Sequence, residues 1–217
     1  MKSFNPLYTF FIFFIIGFIP IISEAKVYTQ QELINIINTS AGQEYDRYKS
    51  LGSYEATFTR SMSRESFISY VLATAEYEHR ITDSSGKITG FNLDQNTKST
   101  NTDGTIDYGL MQINSSVGDK YYASLDYKNN PNDNARAGAS RLADLFNQGM
   151  VDKKLSGSSA INYGVSGYNP GENSTNRISG VTGFLPEPEE WAMMLLGFGM
   201  VGYQIKRKQR KVVSASE

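Results

Sequence analysis

The chain has 217 residues, room for one ordinary domain plus targeting segments, and a formal charge of −1 that offers no basic face for nucleic acid. Having no cysteine excludes disulfides and thiolate metal sites. A single histidine, His79, excludes a multi-histidine metal site, and no G-x-S-x-G motif supplies a nucleophile for a triad through it. Carboxylate chemistry is what remains, with no cofactor required.

Residues 1–25 read as a secretory signal peptide. Lys2 gives the positive start, Leu7 to Ile22 is almost continuously apolar, and Ser23-Glu24-Ala25 places small residues at −3 and −1 of a cleavage site. An uncleaved membrane anchor is the alternative. Thr29-Gln30-Gln31-Glu32 is a capping box, and Leu33, Ile34, Ile36 and Ile37 follow at helical spacing. Residues 42–59 are polar and tyrosine-rich and carry no clear pattern.

A second helix is predicted from near Ser63, with Phe67, Ile68, Val71, Leu72 and Ala75 as its apolar stripe. At 100° per residue Val71, Ala75 and Glu78 lie within about 60° of one another, whereas Glu76 falls well outside the stripe. Glu78 is therefore expected on the apolar side, where burial would raise its carboxyl pKa, and Glu76 in solvent. His79 reads as a surface polar residue at the helix end, where it favours the C-terminal dipole.

Residues 81–106 form a long polar connection, with Lys87 to Asn92 as a candidate strand and Asn101-Thr102-Asp103-Gly104 as a turn. Next comes Asp107-Tyr108-Gly109-Leu110-Met111-Gln112-Ile113-Asn114. Residues 134–148 predict a helix with a small-residue face, capped by Asp133 or Asn134. Residues 159–168 predict another, ending at Tyr168-Asn169-Pro170-Gly171. Residues 174–184 read as a Gly/Ser/Thr linker.

The run from Trp191 to Ile205 is apolar and is followed by Lys206-Arg207-Lys208-Gln209-Arg210-Lys211. It reads as a short stop-transfer helix of roughly 22 Å, thin for a hydrocarbon core of about 30 Å. A small buried helix is the alternative, but it leaves the basic cluster unexplained. Together with Pro186-Glu187-Pro188 in front of it, the segment 185–217 resembles the PEP-CTERM sorting signal of Gram-negative bacteria. That resemblance implies export, transient membrane anchoring, cutting near the tripeptide by an exosortase-type enzyme, and release to the surface or surroundings.

The alanine-spaced helix ending in Glu78, the block Gly109-Leu110-Met111-Gln112-Ile113, and Tyr168-Asn169 occur in an order that resembles the lysozyme-like lytic transglycosylases (SLT type). Thr102-Asp103-Gly104 and Asp107-Tyr108-Gly109, with Gln112-Ile113-Asn114-Ser115 behind them, are also similar to a turn of animal-type lysozymes. Both families cut peptidoglycan. The resemblance implies a mainly α (α+β) lysozyme-like domain over residues 26–173 with a small β-hairpin lobe. It implies Glu78 as the acid that protonates the leaving oxygen and then acts as base. Gln112, Met111, Tyr168 and Asn169 are implied at the glycan, although core packing is an equal reading of Met111. Asp107 is either a second carboxylate or a turn residue bonded to backbone N–H groups.

Three departures from the transglycosylase pattern stand out. His79 replaces the usual Ser, the gap from Glu78 to Gly109 is long, and Pro170 replaces Ala. The expected activity is a lytic transglycosylase. The alternatives are a hydrolytic muramidase using Glu78 and Asp107, and a non-catalytic glycan-binding protein of the envelope or matrix.

Overall fold

The computed structural model describes residues 26–52, 57–169 and 174–185. The expected secretory segment, 1–25, and the expected sorting segment with Pro186, Glu187, Pro188 and the basic tail lie outside these residues. Among the described residues no helix is long and apolar enough to cross a membrane.

Helix α1, Gln30–Leu51, starts at the expected capping box, with Thr29 accepting from the Glu32 backbone N–H and the Glu32 carboxylate accepting from the Thr29 N–H. It runs far beyond the predicted stripe. Its second half is polar in sequence but buries Glu44, Tyr45 and Tyr48. The Tyr45 hydroxyl donates to the carbonyls of Thr59 and Met62, and that of Tyr48 to Asp144 and to the Ser140 carbonyl. Tyrosines that read as surface thus carry core area on the ring and a satisfied hydroxyl at its edge. The short helix α2, Thr57–Ser61, buries Phe58 between them.

Helix α3, Arg64–Glu78, is capped by Ser63, as expected. It packs on α1 through Phe67, Val71 and Ala75, all fully buried. Two small antiparallel sheets follow. One pairs β1, Arg80–Thr82, with β2, Ile88–Phe91; the other orders β3, Lys98–Thr100, β4, Ile106–Tyr108, and β5, Ile113–Asn114, as neighbours in that sequence. Gly104 turns β3 into β4 with a φ of 82°.

Helix α4, Ser115–Tyr121, leads to α5, Pro131–Val151. The cap of α5 is Asn130 rather than Asp133 or Asn134, because Pro131 takes the first helical position and the Asn130 side chain accepts from the Asn132 N–H. Helix α5 is the central element, lying against α1 and against α6, Gly157–Tyr168. The expected linker at 174–184 is instead helix α7, Ser174–Gly183, packed on α3 and α6. Arg177 and Val181, four apart, are fully buried, and at Gly180 a Cβ would collide with the Tyr77 ring. Small-residue content that suggested a linker is what permits this close packing. The architecture is the expected one, mainly α with a small β lobe.

Candidate active site

The block from Asp107 to Asn114 leaves β4, makes a tight turn and re-enters the lobe as β5. Gly109 has φ 70°, and a Cβ there would stand 2.7 Å from the Asn134 side-chain nitrogen. Both facts demand glycine. Asn134, 1 % exposed, holds the turn: its amide nitrogen donates to the carbonyls of Tyr108 and Tyr127 at 2.7 and 2.8 Å, and its oxygen accepts from the Met111 N–H at 2.8 Å. Gln112 adopts φ 47°, a left-handed conformation uncommon outside glycine, and donates to the Gly109 carbonyl at 2.7 Å.

The turn opens onto a groove of about 370 Å³. Asp107, Gln112, Tyr168 and Asn169 line it, with the β3–β4 turn on one side and Val117 and Arg141 on the other. Four of the candidate site residues are thus brought together by β4, the turn and the end of α6. Asp107 is partly exposed and accepts from the Asn114 side chain at 2.9 Å across the β4–β5 pair. The expected alternative of backbone N–H partners is replaced by this side-chain bond. The Tyr168 hydroxyl donates to the Met111 carbonyl at 2.8 Å. Burial first, and then the Glu78 charge, raise the Tyr168 hydroxyl well above the usual tyrosine value. Met111 is fully buried and packs where a Cβ on Gly138 would collide with it. The expectation of Met111 at the glycan is corrected: it supports the groove from below.

Three readings at the end of α3 also need correction. Glu76 is not in solvent but 7 % exposed, and burial pushes its carboxyl up to about 7. Among the described residues it has no hydrogen-bond or ion-pair partner. The whole turn from Ala73 to Tyr77 is buried, because α3 is covered on one flank by α1 and on another by α7, and no solvent face is left for Glu76. Glu78, whose side chain is 9 % exposed, is not in an apolar pocket: the fully buried Arg177 guanidinium donates to it at 2.5 Å. Arg177 also donates to the Val165 carbonyl and lies over the rings of Tyr77 and Tyr168.

His79, third, is buried, with Nε2 3.3 and 3.1 Å from the carbonyls of Gly109 and Leu110. Nε2 therefore carries the proton and donates, tying the end of α3 to the glycine turn. Burial lowers the imidazole pKa against the opposing pull of those two carbonyls. Sequence reasoning missed Arg177, because an arginine in a Gly/Ser/Thr run reads as surface. The one available signal was its i, i+4 spacing to Val181.

Residues 90–187, a little under half of the chain, match the family model described as the transglycosylase SLT domain. The match takes in the glycine turn, the groove-lining Tyr168 and Asn169, and all of α7; Glu78 precedes it. No curated protein and no solved structure matches the chain. The mainly helical fold with its small β lobe is consistent with a mainly α, lysozyme-like SLT fold. The family match supports a lytic-transglycosylase-type function on peptidoglycan.

Proposed function

We propose that this chain is an exported lytic transglycosylase that cuts the MurNAc–GlcNAc β-1,4 bond of peptidoglycan, with Glu78 as its single acid and base. The observation that carries this reading is the groove itself. Within the SLT-matched region it gathers Gln112, Tyr168 and Asn169, while Glu78 lies close enough to Tyr168 for its charge to act on that hydroxyl.

The chemistry begins with a proton on Glu78. The Arg177 guanidinium donating to its carboxylate holds the side chain in place as the base. Proton delivery requires Arg177 to give up that contact as the glycan enters. After the leaving oxygen is protonated, Glu78 takes the proton of the C6 hydroxyl, which closes a 1,6-anhydro ring. Gln112, whose amide nitrogen is bonded to the Gly109 and Thr97 carbonyls, offers its amide oxygen to acetamido N–H or hydroxyl groups, and Asn169 lines the same groove with a second amide. Residues 1–25 would direct export, and 185–217 would anchor the chain transiently until an exosortase-type enzyme cuts near Pro186-Glu187-Pro188.

Digestion of purified sacculi with the full chain tests this. The expected products end in 1,6-anhydromuramic acid, one water lighter than reducing ends by mass spectrometry, and Glu78→Gln lowers lysis by orders of magnitude while Glu76→Gln does not. Loss of activity in Glu76→Gln with retention in Glu78→Gln would sink the assignment. A hydrolytic second reading is favoured by Asp107, a carboxylate lining the groove and fixed by Asn114. Reducing ends throughout, with an inactive Asp107→Asn variant, would establish it.

A further inference from the structure

The side chain of His79 reaches from the end of α3 into the glycine turn. Its backbone is fixed from two sides. The N–H donates to the Ala75 carbonyl at 3.1 Å, and the carbonyl accepts from the Asn92 N–H at 3.0 Å. From this fixed base the imidazole, 8 % exposed, brings Nε2 to 3.3 Å from the Gly109 carbonyl and 3.1 Å from that of Leu110. Leu110 is fully buried, so its carbonyl has no water to turn to when the imidazole is removed. A serine hydroxyl, one bond from Cβ, could not reach both carbonyls from the same backbone position.

The Gly109 carbonyl has a second task. It also accepts from the Gln112 backbone N–H at 3.1 Å and from the Gln112 side-chain Nε2 at 2.7 Å. His79 and the groove-lining Gln112 therefore share one acceptor. Gln112 stands at a φ of 47°, a conformation that persists only where its surroundings hold it. Glu78 immediately precedes His79. Between Glu78 and Gln112 the chain runs through four strands, β1 to β4, so connectivity alone does not fix their separation. The imidazole spans that gap directly.

We infer that His79 is a positioning residue for glycan cleavage: its Nε2–H clasps the glycine turn and holds the Gln112 amide at a fixed span from Glu78. This rests on the glycan-cleaving reading above and adds to it a residue that touches no substrate. A sugar held by Gln112 at the wrong span still binds, but its glycosidic oxygen is out of line with Glu78. A misplacement of about 1 Å can cost about a hundredfold in rate.

Turnover of a GlcNAc–MurNAc tetrasaccharide by the full chain tests this. In His79→Leu, which fills the site without a donor, and in His79→Ser, whose donor is too short, kcat should fall about ten- to a hundredfold with little change in KM. His79→Gln keeps an N–H donor at similar reach and should retain most of the activity. Gln112→Gly removes the amide and accepts the positive φ. Because both residues act through one carbonyl, adding His79→Leu to Gln112→Gly should cost little more than Gln112→Gly alone. A loss in His79→Gln as large as in His79→Leu, or losses that simply add in the double variant, would overturn the inference.

A second readout needs no turnover. The NMR signals of the Gln112 side-chain amide should move and broaden in His79→Leu and stay in place in His79→Gln. Unmoved signals in His79→Leu would overturn the inference. Displaced signals in a protein that cuts nothing would remove the glycosidase reading and leave the clasp. Cutting that is indifferent to His79→Leu would do the reverse.

Discussion

Three side chains at the end of α3, Glu76, Glu78 and His79, show how neighbours decide ionisation. Glu76 and Glu78 are two residues apart, yet one is desolvated with no partner among the described residues and the other is held by Arg177. The folded pKa of Glu76, about 7, lies above the ordinary 4.5. Its contribution to stability is therefore fully present below 4.5 and is lost as pH rises through 7. Glu76→Gln should leave stability near pH 4.5 almost unchanged and raise it at pH 8 by about 1–2 kcal/mol, a figure reduced for residual solvent contact. Urea unfolding of both proteins across this range checks it; a constant difference at all pH values would show that Glu76 does not titrate in the fold. His79 works in the opposite sense. Its folded pKa lies below the ordinary 6.5, so its contribution is present above 6.5 and is lost as pH falls. His79→Gln, which keeps an N–H donor and cannot titrate, should flatten the acid side of the stability profile.

At the scale of elements, the glycine turn and α5 form one unit. Asn134 satisfies one carbonyl and one N–H of the turn and the Tyr127 carbonyl ahead of α5, so Asn134→Ala strands three polar groups at once. The expected cost is about 2–4 kcal/mol, and activity should fall with it as the turn loosens. Gly109→Ala should cost a similar amount through a different route, strain at positive φ plus collision with Asn134. Because both changes act on one contact, the double variant should lose clearly less than the sum of the singles, which thermal unfolding would show.

Much of this was legible in the sequence. The capping box, the Ser63 start of α3, the β3–β4 turn and the groove block all carry local signals. What could not be read was partnership across the chain. Asn134 resembled a cap because its three partners are far from it in sequence. Glu76 resembled a surface residue because helical phase records one buried face, while α1 and α7 together cover two. The second half of α1 was opaque because tyrosine and glutamate bury there only by courtesy of partners on α5 such as Ser140 and Asp144.

For the whole molecule the decisive element is α7. It delivers Arg177 into the region between α3 and α6, where the guanidinium meets the Glu78 carboxylate and the Val165 carbonyl. Removing one member of a buried ion pair leaves an uncompensated charge and typically costs about 3–5 kcal/mol. Arg177→Met should therefore lower the unfolding midpoint strongly, and adding Glu78→Gln to it should recover part of the loss. A chain ending after residue 185 should unfold cooperatively, because every helix of the described residues is retained. A chain ending after residue 173 loses Arg177 and Val181 from the core and exposes Tyr77, which Gly180 covers. It should be sharply more susceptible to limited proteolysis and melt at lower temperature. Equal protease resistance and equal melting of the two chains would mean that α7 contributes nothing to the fold and that 174–184 behaves as a linker after all. The expected difference instead makes the site and its last helix inseparable, since the residue that neutralises Glu78 also closes the core.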